Sequence, residues 1–76
     1  MVEIGELMAN YVITFGEHMA RRTLIITLRL VDEETSEIKE AESFICSTGA
    51  APKYRRHAEN KMEAWRKEHN VVGLIK

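Results

Sequence analysis

Alternating hydrophobic and polar positions predict a β-strand near the start of the chain. In the segment NYVITFGE, Tyr11, Ile13 and Phe15 fall on one face, and the residues between them fall on the other. A period of two with aromatic and β-branched residues is typical of a strand. We expect this strand to end at Gly16 and the segment GEHMARR to form the connection that follows.

The segment RTLIITLRLV has the strongest strand pattern in the chain. One of its faces is entirely apolar and consists of Leu24, Ile26, Leu28 and Leu30. The other face is also half apolar, which is typical of a central strand or of one covered on both sides.

The segment VDEETSEI then predicts a hairpin turn. Asp32 opens it, because its side chain can accept a hydrogen bond from the backbone two residues on, and Ser36 lies where glycine is commoner.

A third strand is predicted from Ile38 to Ser47, with an irregular pattern. Glu40 and Glu42 share the parity of the apolar residues in this segment. Two carboxylates on a core face would be costly unless they lie beyond the edge of the sheet. We therefore expect a bulge near Ala41 that switches the parity.

The segment STGAAPKYRRHAENKMEAWRKEH predicts an amphipathic helix. It begins between Thr48 and Pro52, with Ser47 or Thr48 as the capping residue. Apolar residues then recur at spacings of four, four and three, and this stripe consists of Tyr54, Ala58, Met62 and Trp65. The final segment, VVGLIK, predicts a small edge strand or a packed tail.

These elements predict an α+β fold. It is an antiparallel three-stranded β-meander with one C-terminal amphipathic helix packed on one face, and a short fourth strand can follow in the order β-β-β-α-β. A chain of 76 residues is a single domain, 1–76, in which residues 1–8 are expected to be a flexible lead or a short helical turn. Its core is thin, and Cys46 has no second cysteine to pair with, so self-association is expected to supply stability.

Charge is unevenly distributed, although the net charge is only −1. Residues 32–42 contain six acids and one lysine, a net of −5, whereas residues 53–67 contain six bases and two acids, a net of +4. The first half of the helix carries candidate phosphate-binding residues, because phosphates favour helix N-termini. These residues are Lys53, Arg55, Arg56 and Lys61. The acids that interleave with the bases along the helix favour a simpler interpretation, a solvated helix surface.

The β-β-β-α order and the basic segment KYRRHA resemble the C-terminal part of double-stranded-RNA-binding domains over residues 11–65. The resemblance implies RNA binding through the start of the helix. The chain lacks the well-formed first helix of that family, and STGAAPKYRR departs from its usual run of glycine, serine and paired lysines. We therefore do not assign the chain to the family.

Catalytic and metal-binding motifs are not evident in the sequence. The four glycines are scattered, and no serine or cysteine is paired with a histidine at a spacing that indicates nucleophilic catalysis. The possible zinc ligands Cys46, His18, His57 and His69 follow no recognised spacing. We expect no enzymatic activity, no cofactor and no metal, and interpret Cys46 as a small buried apolar residue.

The N-terminal segment begins with acidic rather than basic residues, and no stretch approaches the roughly 20 apolar residues of a membrane span. We expect a cytoplasmic protein without a membrane partner.

One helix leaves the second face of the sheet partly uncovered, and an apolar patch there is typical of an interface. The residues predicted to form it are Val12, Thr14, Ile25, Thr27, Val31 and Ile45.

The sequence thus predicts a small protein-binding module, a homodimeric accessory regulator or inhibitor whose further protein partner is unidentified. The alternative is a nucleic-acid-binding domain that uses the basic half of the helix.

Overall fold

The computed structural model describes residues 9–76, and the expected flexible lead at residues 1–8 lies outside the described residues. The predicted α+β fold is confirmed. A 3-10 turn precedes the helix at Thr48–Ala50. The elements in chain order are β1 (Tyr11–Ala20), β2 (Thr23–Asp32), β3 (Ile38–Ser47), α1 (Ala51–Glu68) and β4 (Val71–Ile75).

The four strands form one mixed sheet in the order β3-β2-β1-β4. The first three strands are antiparallel neighbours, and β4 pairs with β1 in parallel. The direction of β4 follows from the connections. The two hairpins give β3 the same direction as β1, and α1 then runs back along the sheet, so β4 starts at the same end as β1 and runs the same way. An 18-residue helix spans about 27 Å and a ten-residue strand about 33 Å, so α1 brings the chain back across nearly the full sheet.

The core lies between α1 and one face of the sheet. The sheet contributes Ile13 and the predicted apolar face of β2, whose side chains are at most 1% exposed. From the helix, Ala58, Met62 and Trp65 are buried as the stripe predicted, and Tyr54 packs against this core while half-buried. We call this side of the sheet the helix face.

The first hairpin differs from the prediction. β1 does not end at Gly16 but continues to Ala20, and Arg21 and Arg22 alone connect it to β2. Arg21 has a positive φ of 57°, as a two-residue hairpin turn requires in its first central position. The pairing of ten residues with β2 overrides the weak strand preference of a single glycine.

The second hairpin turn has the predicted chemistry. The Asp32 carboxylate accepts hydrogen bonds from the backbone N–H groups of Glu34 at 2.9 Å and Thr35 at 3.1 Å. Ser36 has a φ of 65°, in the left-handed region that glycine occupies at lower cost.

Ser36→Gly is therefore expected to raise the free energy of unfolding by a few tenths of a kcal/mol to about 1 kcal/mol. The strain removed from the left-handed residue exceeds the added entropy of the unfolded chain. Urea unfolding measures the difference. Ser43→Gly, within paired β3, is the matched control and should lower stability. Equal changes in both variants would contradict the strain argument.

The predicted bulge exists, but it lies at Lys39 rather than near Ala41. Leu30 pairs with Glu40 and Val31 pairs with Ile38, so Lys39 is the extra residue. The bulge leaves both acids, Glu40 and Glu42, half-buried on the helix face and moves Ile38 to the opposite side. The bulge therefore does not move the two carboxylates off the helix face, where they lie near the end of the sheet.

The start of the helix also differs in one detail. Neither Ser47, which precedes the 3-10 turn, nor Ala50, which precedes α1, makes a side-chain capping hydrogen bond. The 3-10 turn connects β3 directly to α1, and Pro52 lies in the first helical turn, where the missing amide hydrogen has no cost.

Candidate protein interface

The face of the sheet opposite the helix carries no other element among residues 9–76. We call it the open face. Strand alternation determines its members, because successive side chains point to opposite sides and the helix face holds the buried set. All six predicted interface residues lie on the open face: Val12, Thr14, Ile25, Thr27, Val31 and Ile45.

Strand register arranges the open face in rows that cross the sheet. At one end Val12, Val31 and Ile38 lie side by side and form a fully apolar row. Toward the other end Ile25 and Ile45 are direct neighbours, and His18 completes their row. The two intervening rows are mainly small and polar: Thr14, Arg29 and Ala41, then Gly16, Thr27 and Ser43.

Several large apolar side chains on this face are unusually accessible. Ile45 is 67% exposed and Ile38 57% exposed, both on the edge strand β3. On β4, Ile75 pairs with Thr14 and is 60% exposed. The apolar surface therefore reaches both edges of the sheet, and its extent is the feature that distinguishes an interface from scattered surface isoleucines.

Charge is nearly absent from the open face. The strands place no carboxylate there among the described residues, because Glu17, Glu40 and Glu42 all pair with core positions on the helix face. Within residues 9–76, Arg29 is the one permanently charged residue at a paired position of the open face. Its neighbours in the row, Thr14 and Ala41, are small, and β3 is the edge strand about 4.8 Å away. The arginine stem can therefore cross Ala41 and hold its guanidinium in water.

Sequence reasoning missed Ile38 and Ile75 as members of the open face. Ile38 shares the parity of Phe44 and Cys46 in the sequence, and only the bulge at Lys39 moves it to the other side. Ile75 pairs with Thr14, 61 positions away in the chain, so no local pattern could assign its side chain to a face.

The candidate phosphate-binding residues lie on α1, and three of the four interact with other side chains of this protein. Arg55 makes a bidentate ion pair with Glu17 of β1, with N–O distances of 2.9 and 3.0 Å. The ammonium groups of Lys53 and Lys61 lie 5.9 and 5.7 Å from the ring centroids of Tyr54 and Trp65. Arg56 is exposed on the helix surface.

The hydrogen bonds from Arg55 lower the pKa of Glu17 below its usual 4.5, and the charges of Arg55 and Lys76 act in the same direction. A carboxylate whose pKa is lowered by folding contributes stability that is present above the unfolded pKa. That contribution disappears as the pH falls through the lowered pKa of Glu17.

We expect the pH dependence of urea unfolding below pH 4.5 to be reduced in Glu17→Gln, which cannot titrate. The effect is small, because both partners are accessible to solvent. Glu63→Gln is the matched control, since its contact with Arg66 is a 3.9 Å surface pair. A wild-type pH profile that persists in Glu17→Gln would contradict the assignment.

An open depression of about 310 Å³ lies at the turn between β2 and β3. Its lining consists of Tyr11, Asp32, Thr35, Glu37, Ile38 and Lys39. The Asp32 carboxylate already accepts hydrogen bonds from amides of the turn. Cys46 is buried on the helix face, as expected of a small apolar residue. Neither feature supports a catalytic assignment.

Comparison of the chain with protein-family models, curated proteins and solved structures found no match. Within residues 9–76, no helix combines the length and the apolar character that crossing a bilayer requires.

Proposed function

We propose that this protein is a non-enzymatic protein-binding module that forms a homodimer through the open face of its sheet. The observation that carries the proposal is the one-sided sheet, in which exposed isoleucine and valine side chains lie on the face that has no helix among residues 9–76. As a homodimer it acts as an accessory regulator or inhibitor, through protein–protein contact rather than chemistry.

A second copy of the chain is the occupant that best suits this surface. A two-fold dimer brings the same patch together twice, so the patch must be compatible with itself. The open face meets this condition, because it has apolar side chains near both ends, carries no carboxylate at a paired position among the described residues, and its arginine can extend past the edge strand. A partner recognised by charge would instead require carboxylates or a basic cluster on the face.

The area of the open face is also suitable for a dimer interface. Three paired ten-residue strands cover about 33 by 14 Å, on the order of 500 Å² in projection, and the side chains that stand on them increase the accessible area. A standard interface buries roughly 800 Å² of each partner. Sheets that pack face to face interdigitate such side chains in a layer about 10 Å thick.

Light scattering after size exclusion tests the proposal. The wild-type protein should have twice the 8.8 kDa mass of the chain, and the mass should fall on dilution. Ile45→Glu is expected to give a monomer with an unchanged far-UV circular dichroism spectrum, because the residue is already 67% exposed. Ala64→Glu, on the solvent side of α1, is the matched control and should remain dimeric. A wild-type monomer at every concentration would overturn the homodimer.

The alternative role, nucleic-acid binding through Lys53, Arg55, Arg56 and Lys61, stays a prediction with its own test. It requires a mobility shift whose strength falls steeply with salt and is lost in the double variant Arg55→Glu, Arg56→Glu. The ion pair between Arg55 and Glu17 already neutralises one of these four charges locally, so we favour the protein interface.

A further inference from the structure

Three potential metal ligands from distant parts of the chain meet where α1 ends against β3. Glu40 lies on β3, Glu68 is the last residue of α1, and His69 follows it. Their ligand atoms all lie within 4.8 Å of one another. One imidazole nitrogen and two carboxylates are a ligand set that zinc and similar divalent ions accept.

The spacing of the central pair fits two ligands of one metal ion. The Nε2 atom of His69 lies 3.5 Å from Oε2 of Glu40. That distance is beyond the usual range of a hydrogen bond. Two ligands that are each 2.0–2.2 Å from a tetrahedral zinc ion lie about 3.3–3.6 Å apart, so the pair already has a metal-bridged separation.

The backbone and ring of His69 are held from several sides. Its N–H donates to the carbonyl of Trp65 at 2.8 Å, and the carbonyl of the next residue, Asn70, accepts from the N–H of Tyr11 at 2.9 Å. The Tyr11 ring contacts the imidazole edge to face, with centroids 5.1 Å apart. The imidazole is also only partly exposed, at 19% of its side-chain surface. These contacts orient the nitrogen toward Glu40, which reduces the entropy lost on binding a metal ion.

Glu68 supplies a ligand that can adjust its position. Its side chain is exposed, so rotation about its own bonds can close a separation of up to 4.8 Å to the tetrahedral spacing at low cost. Among residues 9–76, no lysine or arginine lies within ion-pair distance of Glu40 or Glu68. Apart from the contact between His69 and Glu40, neither carboxylate has a cationic neighbour among these residues, which favours a cation at this position.

We propose that Glu40, Glu68 and His69 form a binding site for a divalent zinc-class ion, with water in the remaining position. The bound ion would fasten the end of α1 to the start of β3, next to the bulge at Lys39. This site is separate from the open face, because Glu40 lies on the helix face. The sequence predicts no metal, because the histidine and cysteine spacings match no zinc motif and the carboxylates of residues 32–42 match no calcium loop. The fold brings one of those carboxylates, Glu40, to the end of α1.

Isothermal titration calorimetry with zinc chloride on the full chain tests the site. Wild type should bind one ion per chain, and Glu40→Gln and His69→Gln should each weaken binding at least tenfold. His18→Gln and His57→Gln are matched controls, because both histidines are exposed and neither belongs to the cluster. Magnesium should bind far more weakly than zinc, since an imidazole ligand suits zinc but not magnesium.

Thermal unfolding gives a second readout that does not depend on the heat of binding. Zinc should raise the melting temperature of wild type and of His57→Gln, because a ligand that binds only the folded state stabilises it. It should leave the melting temperature of His69→Gln unchanged. The proposal is overturned if His69→Gln binds zinc as tightly as wild type, or if a control histidine variant loses binding equally.

Discussion

Trp65→Ala is expected to lower the free energy of unfolding by about 3–5 kcal/mol, the range for removing a large aromatic side chain from a core. Trp65 is fully buried and is the largest of the buried side chains. Folded proteins have roughly 0.05–0.15 kcal/mol of stability per residue, so this chain of 76 residues has only about 4–11 kcal/mol in total. The substitution therefore removes a large part of the stability or all of it.

Trp65→Phe is the matched control. The indole Nε1 is buried and has no hydrogen-bond acceptor within residues 9–76. Phenylalanine keeps most of the apolar volume and removes that unsatisfied donor, so the lost packing is partly offset. We expect a loss well below that of alanine. Urea unfolding should be followed by far-UV circular dichroism, because both variants lack the only tryptophan. An alanine variant as stable as the phenylalanine variant would contradict the placement of α1 on the sheet.

The elements that sequence reasoning predicted well are those encoded by a local period. The apolar face of β2 and the stripe of α1 are visible within single segments, because each repeats with the spacing of its own secondary structure. The turn at Asp32 is also local, since its hydrogen bonds reach only two and three residues along the chain.

The features that were missed depend on pairing between strands, which the pattern within a single segment does not show. The extension of β1 past Gly16 is imposed by β2, and the position of the bulge is chosen by how β3 meets Val31 and Leu30. The parallel direction of β4 is known only once the helix is known to cross the sheet.

The candidate surfaces likewise divide into features that one segment encodes and features that strand pairing determines. The six open-face residues follow from alternation and were predicted, whereas Ile38 joined them through a single extra residue in β3. The cluster of Glu40, Glu68 and His69 was not predictable, because 28 positions separate its first two members and no motif connects them. In a chain with so thin a core, one residue of register decides which surface is buried and which remains available.

Ile25 and Ile26 give the sharpest test of which face of the sheet is buried, because two adjacent, chemically identical side chains point to opposite faces. Ile26 is fully buried between β2 and α1, and its neighbours across the strands are Glu17 and Phe44. Ile26→Glu places a carboxylate at a fully buried position beside Glu17, which is itself already paired with Arg55, at a cost of several kcal/mol. We expect this variant to be unfolded at neutral pH, with the far-UV circular dichroism signal of a disordered chain.

Ile25→Glu is expected to have the opposite outcome. Ile25 lies on the open face beside Ile45 and is only partly buried, so the glutamate can reach water and the strand can still pair. The chain should retain its far-UV circular dichroism spectrum, while light scattering should show the mass of a single chain, because two carboxylates would then face an apolar interface. Unfolding of both variants would mean that helices or partners cover both faces of β2. A folded Ile25→Glu variant that still has twice the chain mass would mean that the dimer contact lies elsewhere, since no interface centred on Ile25 and Ile45 tolerates those charges.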